Sequence, residues 1–451
     1  MPPSFGEPIT LGKQKLKNRL CKGALSEGLA DPLDNLPCPR HFRLYSQWAK
    51  GGAGMIITGN VMVSRTFLEN PRAVVLDKDT PLEPFKEWAE QGRQNGAKLV
   101  MQISHPGRQC PVSVTFQPVA PSPTRLRPPA WSPPLFCKAR ALTGREVEDL
   151  VDAFAETAGR AQEAGFDGVE IHAAHGYLIS QFLSPLTNFR EDKWGGTLEG
   201  RQRFLWEIVR KIRLVTGKDF IVGVKLNSTD FQKGGFEESD SIRVAANLQK
   251  QRGEAGGGVD FLEVSGGNYE RAEKLLQQTR PELMKGSGGR EREAYFLSFA
   301  ELVHEAVPDL PLMLTGGFRS VGAIQAALDR GVVDLIGLGR PLCLLPDFPD
   351  RLLGGSEETV ALPYFDWGFS WLNVVVAPML SNTWFQCQLH KLAEGSEADP
   401  KMGVLRAVLL PFRLYLCDPL RVPIVRRLIL LAFRLFDMIA QLLRREKASH
   451  Q

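Results

Sequence analysis

Eight short β-branched or apolar runs recur along the chain with helical patterns between them, and this alternation narrows the fold more than anything else in the sequence. The runs are "LCKGA", "GMIITG", "KLVMQIS", "DGVEIHA", "FIVGVKL", "VDFLEVS", "PLMLTGG" and "DLIGLG", starting near residues 20, 54, 98, 167, 220, 259, 311 and 334. Strands alternating with helices form a parallel sheet, and eight such units point to closure as a (β/α)8 TIM barrel of the α/β class, with a doubly wound open sheet as the alternative. Segments such as "TGREVEDLVDAFAETAGRAQEAG" and "LEGRQRFLWEIVRKIRLVTG" space their apolar residues by three and four and end in glycine, so they read as outer helices.

The same rhythm sets the domain plan. With 451 residues, 43% of them hydrophobic, the chain can bury a large core. The barrel is expected over residues 1–365 and a helical C-terminal extension over 366–451, where the strand and helix alternation has stopped. Between the third and fourth strands, roughly Ser104 to Leu142, a proline-rich insertion containing "QPVAPSPTRLRPPAWSPP" is too long for a turn and reads as a lid over the barrel mouth. The extension is basic: from Lys401 onward ten Lys or Arg face three Asp or Glu, about +7 in a chain whose total is +4.

Within it, "VRRLILLAFRLFDMIAQLLRRE" sets Arg427, Arg434, Asp437, Gln441 and Arg444 on a narrow polar stripe. Its longest uncharged run, Leu428 to Phe433, falls far short of the ~20 residues a spanning helix needs. This helix is expected to pack on the barrel or a second copy of the chain, or to lie in a membrane interface. The main domain shows no basic face for nucleic acid. The N-terminus lacks the apolar core of a secretory signal, and the seven cysteines are scattered without a C-x-x-C pair. Together these features predict a cytoplasmic protein, peripheral at a membrane if the tail binds there.

Function in a barrel gathers at the C-terminal ends of the strands. The fourth strand ends in "HAAHGYLISQF", which sets His172, His175 and Tyr177 in one loop. Strand alternation points His172 and Glu170 inward and Val169 and Ile171 toward the helices. Two imidazoles converging on one oxygen can stabilise charge developing there, and a tyrosine with an ordinary pKa near ~10 can deliver a proton. A polariser beside a proton donor suits reduction of an activated double bond, and nothing in the spacing calls for a metal. The seventh and eighth strands end in "TGGF" and "GLGRP", where Gly316, Gly317, Gly339 and Arg340 suit a phosphate. Lys225, inward on the fifth strand, needs a partner: an anionic cofactor ring, or structurally Glu170 one strand away. Gln102, ending the third strand, can donate and accept toward an amide-like heterocycle, or simply face solvent.

These stretches resemble the Old Yellow Enzyme family of FMN-dependent ene reductases from Pro8 to Leu345. "KNRL" with "GALSEGLAD", "AKGGAGMIITGNVMV", "QISHPGRQ" and "APSP" are similar to its successive strand segments, and "HAAHGYLISQFLSPLTNFREDKWGGTLEGRQRF" is similar to its longest signature. The resemblance implies FMN across the barrel mouth, bordered by Ala24, Leu25 and Gly59. It implies Gln102 on the pyrimidine edge, Lys225 near N1 and O2 where the family often has arginine, and Gly316, Gly317, Gly339 and Arg340 on the phosphate. His172 and His175 would hold a substrate carbonyl, His172 also belonging to the flavin-contacting set, and Tyr177 would protonate the α-carbon. NADPH or NADH would supply hydride for an enone-type small molecule. Ser26 stands where some members carry an active-site cysteine. The iron–sulfur cysteine cluster of the longer dienoyl-CoA reductases is missing.

Two other readings use the same residues. A flavin-free barrel lyase or aldolase would use Lys225 as a Schiff-base amine of lowered pKa. A non-catalytic scaffold would keep the barrel for folding and bind membrane or partner through its tail.

Overall fold

The computed structural model describes residues 3–126, 136–252, 258–265, 297–363 and 377–403. Eight parallel strands run β1 Leu20–Lys22, β2 Met55–Ile57, β3 Lys98–Ser104, β4 Gly168–Ala173, β5 Ile221–Asn227, β6 Phe261–Ser265, β7 Leu312–Thr315 and β8 Leu335–Leu338. Their order closes: β8 pairs with β1 through Ile336 and Leu20, and β3 pairs with β4 through Val100 and Gly168. The expected barrel is therefore present, and the open doubly wound alternative is not.

Helices α1 Pro39–Lys50, α2 Glu83–Gly92, α3 Gly144–Glu163, α4 Leu198–Thr216, α5 Glu238–Arg252, α6 Leu297–Ala306 and α7 Val321–Asp329 clothe the barrel, followed by a short α8 Phe348–Leu353. The longest, α3, starts where Thr143 and Glu146 cap one another. The Glu146 amide donates to Thr143 Oγ1 at 3.2 Å and the Thr143 amide to Glu146 Oε2 at 2.8 Å, which satisfies two otherwise orphaned donors. The pleat behaves as alternation demands: Val169 and Ile171 join the apolar layer under the helices, while Glu170 and His172 are buried.

Two elements escaped the periodicity. An antiparallel hairpin of Ile9–Leu11 and Gln14–Leu16 sends Leu11 and Leu16 into the cluster of Cys21, Met55, Val100 and Phe261 that fills the barrel interior. After β2 the chain leaves the barrel, pairing Val61 with Ile103 and Val61 with Val74 before returning. The proline-rich insertion carries a small ladder of Val119–Ala120 with Arg140–Ala141, and Ser122 Oγ accepts from the Phe189 amide at 2.8 Å; residues 127–135 lie outside the described residues.

Of the C-terminal extension, helix α9 Ala377–Ala393 is described, and it docks on the barrel through α1. Arg43 Nη1 donates to the Ala393 carbonyl at 2.9 Å and Gln47 Nε2 to that of Leu392 at 3.0 Å. The basic segment from Val425 to Glu446, expected to pack on protein or to lie in a membrane interface, lies outside the described residues. Among the described residues no helix is long and apolar enough to cross a membrane.

Interior packing makes one position intolerant. A Cβ built on Gly223 of β5 would stand 2.2 Å from Phe261 Cζ, so the ring fills the space that glycine leaves. Gly223→Val should overpack this layer and cost about 3 kcal/mol or more, read as a lowered midpoint in thermal unfolding. An unchanged midpoint would show that the ring can move aside.

Candidate active site

The loop after β4 is shaped by its backbone. His175 and Gly176 both sit in the left-handed region, at φ 60 and 74, so the chain turns sharply and brings Tyr177 back over His172. The Tyr177 ring meets His172 edge to face with centroids 4.7 Å apart, and His175 lies 5.1 Å from the same imidazole. His175 is held from both sides: its amide donates to Asn227 Oδ1 at 3.1 Å, and its Nε2 hydrogen-bonds Ser265 Oγ at 2.8 Å. His172 Nδ1, in contrast, is buried with no hydrogen-bond partner among the described residues. The three residues singled out from sequence thus do form one cluster. Burial, with Lys225 adding repulsion, pushes His175 down to about 3, and burial with His175 beside it pushes His172 well below its usual value.

Below them lies a buried polar network. Lys225 Nζ donates to Glu263 Oε1 of β6 at 2.6 Å, and Gln102 Nε2 donates to Glu170 Oε2 at 2.6 Å. Glu263, rather than Glu170, is thus the structural partner of Lys225. Register explains the choice, since Lys225 and Glu263 stand directly opposite on neighbouring strands. Burial pulls the Lys225 ammonium down, but the Glu263 and Glu170 carboxylates outweigh it and hold it above its ordinary value. An amine bound to a buried carboxylate at 2.6 Å is unlike the free amine of lowered pKa that a Schiff-base lysine needs, so the site does not support the lyase reading. Burial, and then the Glu263 carboxylate beside it, push Glu170 well up and favour its neutral form. Gln102 is 2% exposed, which removes the solvent-facing reading.

The glycine loops also assemble. Thr315 pairs with Gly337 across β7 and β8, so the loops that follow lie side by side. Gly316 and Gly317 take φ of 139 and 88, which leaves backbone amides unscreened by a Cβ. A Cβ on Gly339 would meet only Leu25 Cδ2, at 3.7 Å, so this cradle is open. Arg340 has no carboxylate within ion-pair distance among the described residues, and its guanidinium lies 6.0 Å from the Phe385 ring centroid of α9. Ala24 and Leu25 are half-buried at the end of β1. Gly59 is glycine for a reason internal to the protein, because a Cβ there would come 2.0 Å from Glu27 Oε2.

Sequence reasoning missed three contributors. Glu69, in the excursion after β2, accepts from Tyr177 Oη at 2.6 Å and from Asn60 Nδ2 at 2.6 Å. From α9, Gln386 Nε2 donates to the Ser26 carbonyl at 2.9 Å, and His390 Nε2 lies 3.0 Å from that of Glu27. The first-strand loop is therefore held from outside the barrel. Neither "FLEN" nor "WFQCQLH" carried a signal beyond helix periodicity in the second.

A flat heterocycle with a phosphate tail suits this arrangement: an open glycine cradle with an uncompensated arginine at one side, and an orphaned imidazole nitrogen and a buried lysine at the other. The sequence model of the NADH:flavin oxidoreductase / NADH oxidase family matches residues 4–358. The chain belongs to this family, the Old Yellow Enzyme family. It is 37% identical to an NADH-dependent flavin oxidoreductase, iliE, of Hypocrea jecorina over 368 residues, which is 78% of this chain and 89% of that protein. Among solved structures it is similar to an old yellow enzyme homologue from Zymomonas mobilis, with TM-score 0.65 and 28% identity over 79% of this chain and 94% of that one. It is likewise similar to morphinone reductase, with TM-score 0.64 and 26% identity over 80% and 92%. As a family member the protein is an FMN-dependent oxidoreductase with a nicotinamide co-substrate.

Its buried histidines should make this flavoprotein acid-sensitive. Burial pushes both His41 and His105 down to about 3. An unfolded histidine titrates near ~6.5, so below that pH the unfolded chain binds more protons than the folded one. Stability is then full above ~6.5 and is lost as pH falls toward the folded value, at about 3 kcal/mol per pH unit for these two histidines together. Denaturant titrations below about pH 6 should show at least that slope, since buried His172 and His175 add to it, and His41→Gln should lower it by about 1.4 kcal/mol per pH unit. An unchanged slope in that variant would count against a buried neutral His41.

Proposed function

We propose that this enzyme reduces the activated C=C bond of α,β-unsaturated carbonyl compounds in a ping-pong reaction. The observation that carries the reading is Tyr177 lying against His172 while both active-site imidazoles are held neutral. Bound FMN would supply the hydride, taken from NADH or NADPH and delivered to the β-carbon. The similarity to morphinone reductase supports a reductase reading.

The residues divide the work. A neutral imidazole can donate a hydrogen bond but is a poor proton source, so His172 and His175 would bind the carbonyl oxygen and favour the negative charge that develops on it. The proton for the α-carbon must come from another group, and Tyr177, with its ring against His172, is the phenol in place to give it. Lys225 keeps two of its three protons beyond the bond to Glu263, enough to face an anionic ring edge. Gln102, with Ala24, Leu25 and Gly59 around it, would border the ring system. Gly316, Gly317 and Gly339 would offer backbone amides to the phosphate, and Arg340 its fork.

Two measurements test these assignments. In anaerobic stopped-flow mixing, Tyr177→Phe should slow flavin reoxidation by 2-cyclohexenone about 100-fold or more while flavin reduction by NADH or NADPH stays within about twofold. Reoxidation at the wild-type rate would remove Tyr177 as the donor. Arg340→Ala should weaken FMN binding about tenfold or more, followed by flavin fluorescence on dilution, since a charge-assisted bond contributes about 1.5–3 kcal/mol. Unchanged retention would place the phosphate elsewhere.

A further inference from the structure

Tyr177 is 4% exposed, so the phenolate left after it gives up a proton would be poorly hydrated and in need of a nearby acid. The hydroxyl lies 2.6 Å from Glu69 Oε2, a distance typical of a strong O–H···O contact to a carboxylate. Glu69 is itself positioned: Asn60 Nδ2 donates to the same oxygen at 2.6 Å, Asn70 Nδ2 donates to Oε1 at 3.3 Å, and the Ser26 hydroxyl adds a further bond. Glu69 is partly exposed as a residue while its carboxyl is enclosed, and it lines a small cleft with Ser26, Gly59, Asn60, Arg72 and His41. That cleft has about 10 Å³ of room, roughly one water. Tyr177, Glu69 and the cleft therefore form a continuous polar line from the substrate face outward.

We propose that Glu69 is the proton store behind Tyr177, returning a proton to the phenolate oxygen each time Tyr177 gives one to substrate. The proposal rests on Tyr177 being the donor. In the transfer the Tyr177 O–H bond breaks as a C–H bond forms at the α-carbon, whose electron pair comes from the enolate. In the same step the Glu69 proton moves to the phenolic oxygen, so no bare phenolate builds up, and the carboxylate then regains a proton from water through the cleft. One solvent proton is consumed per turnover and nothing is oxidised or reduced in the relay. Glu69 acts only through Tyr177 and is a positioning residue in this sense.

The store works while Glu69 is protonated, and its surroundings set that state. The groups facing it are Tyr177, Glu27 from the first-strand loop, Arg72 of its own excursion and His41 of α1, the last held neutral. Burial raises the Glu69 carboxyl, the Glu27 carboxylate adds to this, and the bonds from Tyr177, Asn60 and Ser26 offset it only in part. The ionisation should therefore fall above the ordinary carboxylate value of ~4.3, and a free phenol ordinarily titrates near ~10.

The test is the pH dependence of each half-reaction in the FMN-loaded enzyme. Single-turnover reoxidation by 2-cyclohexenone should fall in the wild type as pH rises through one ionisation between those two values. Glu69→Gln should lose that ionisation and slow reoxidation about tenfold at the plateau, with reduction by NADH within about twofold. Glu69→Asp, which keeps a titrating carboxyl, should keep the ionisation. A Glu69→Gln variant with the wild-type profile, or one slowed equally in both half-reactions, would overturn the proposal. Should that variant not fold, a wild-type profile flat up to the phenol range overturns it alone. The two readings fail differently: Tyr177→Phe reoxidised at the wild-type rate sinks the donor, whereas slow Tyr177→Phe beside wild-type-like Glu69→Gln sinks only the store.

Discussion

The ion pair between Lys225 and Glu263 is the constraint around which the rest of the barrel interior is arranged. Two charges buried at 4% and 0% exposure are tolerable only as partners, and their 2.6 Å contact supplies the compensation. Burial and the neighbouring Glu263 charge drive Glu170 toward its neutral form, and Gln102 Nε2 donates to it. The ion pair with a neutral Glu170 leaves the floor of the mouth close to electroneutral, while burial keeps His172 and His175 low.

Above this floor the chemistry depends on backbone shape. Two consecutive residues in the left-handed region fold the loop after β4 back on itself, and only the second is glycine. His175 accepts the less favourable conformation because its amide is bound by Asn227 and its ring by Ser265, contacts from β5 and β6 that repay the cost. Tyr177 inherits its position from that turn. Strain in one residue is what sets the phenol against His172 rather than in solvent.

How far the sequence alone reaches follows from these particulars. The eight strands were legible because buried parallel strands read as short apolar runs, and the observed starts lie within two residues of the expected ones. His172, His175 and Tyr177 were legible because they share one loop. Glu263 was not, since pairing across strands depends on register, which one sequence does not display. Glu69 sits over a hundred residues from Tyr177, in an excursion whose two-residue strands are too short to carry a period. The N-terminal hairpin was missed for the same reason.

Helix α9 presents a different lesson. The family match ends at residue 358, yet α9 reaches three points that belong to the site: the Ser26 carbonyl through Gln386, the Glu27 carbonyl through His390, and the Arg340 guanidinium through the Phe385 face. Glu27 in turn accepts from Tyr45 Oη at 2.6 Å, and that hydroxyl accepts from the Gly59 amide at 3.0 Å. The β1 loop and the arginine beside the glycine cradle are therefore contacted by one helix that follows the barrel in sequence, and the β2 loop is tied to the β1 loop through Tyr45 of α1. A barrel cut at the end of the family match would retain every residue singled out at the mouth but lose the helix that contacts the β1 loop and Arg340. The helical extension is in this respect part of the site, whatever the basic segment beyond it does.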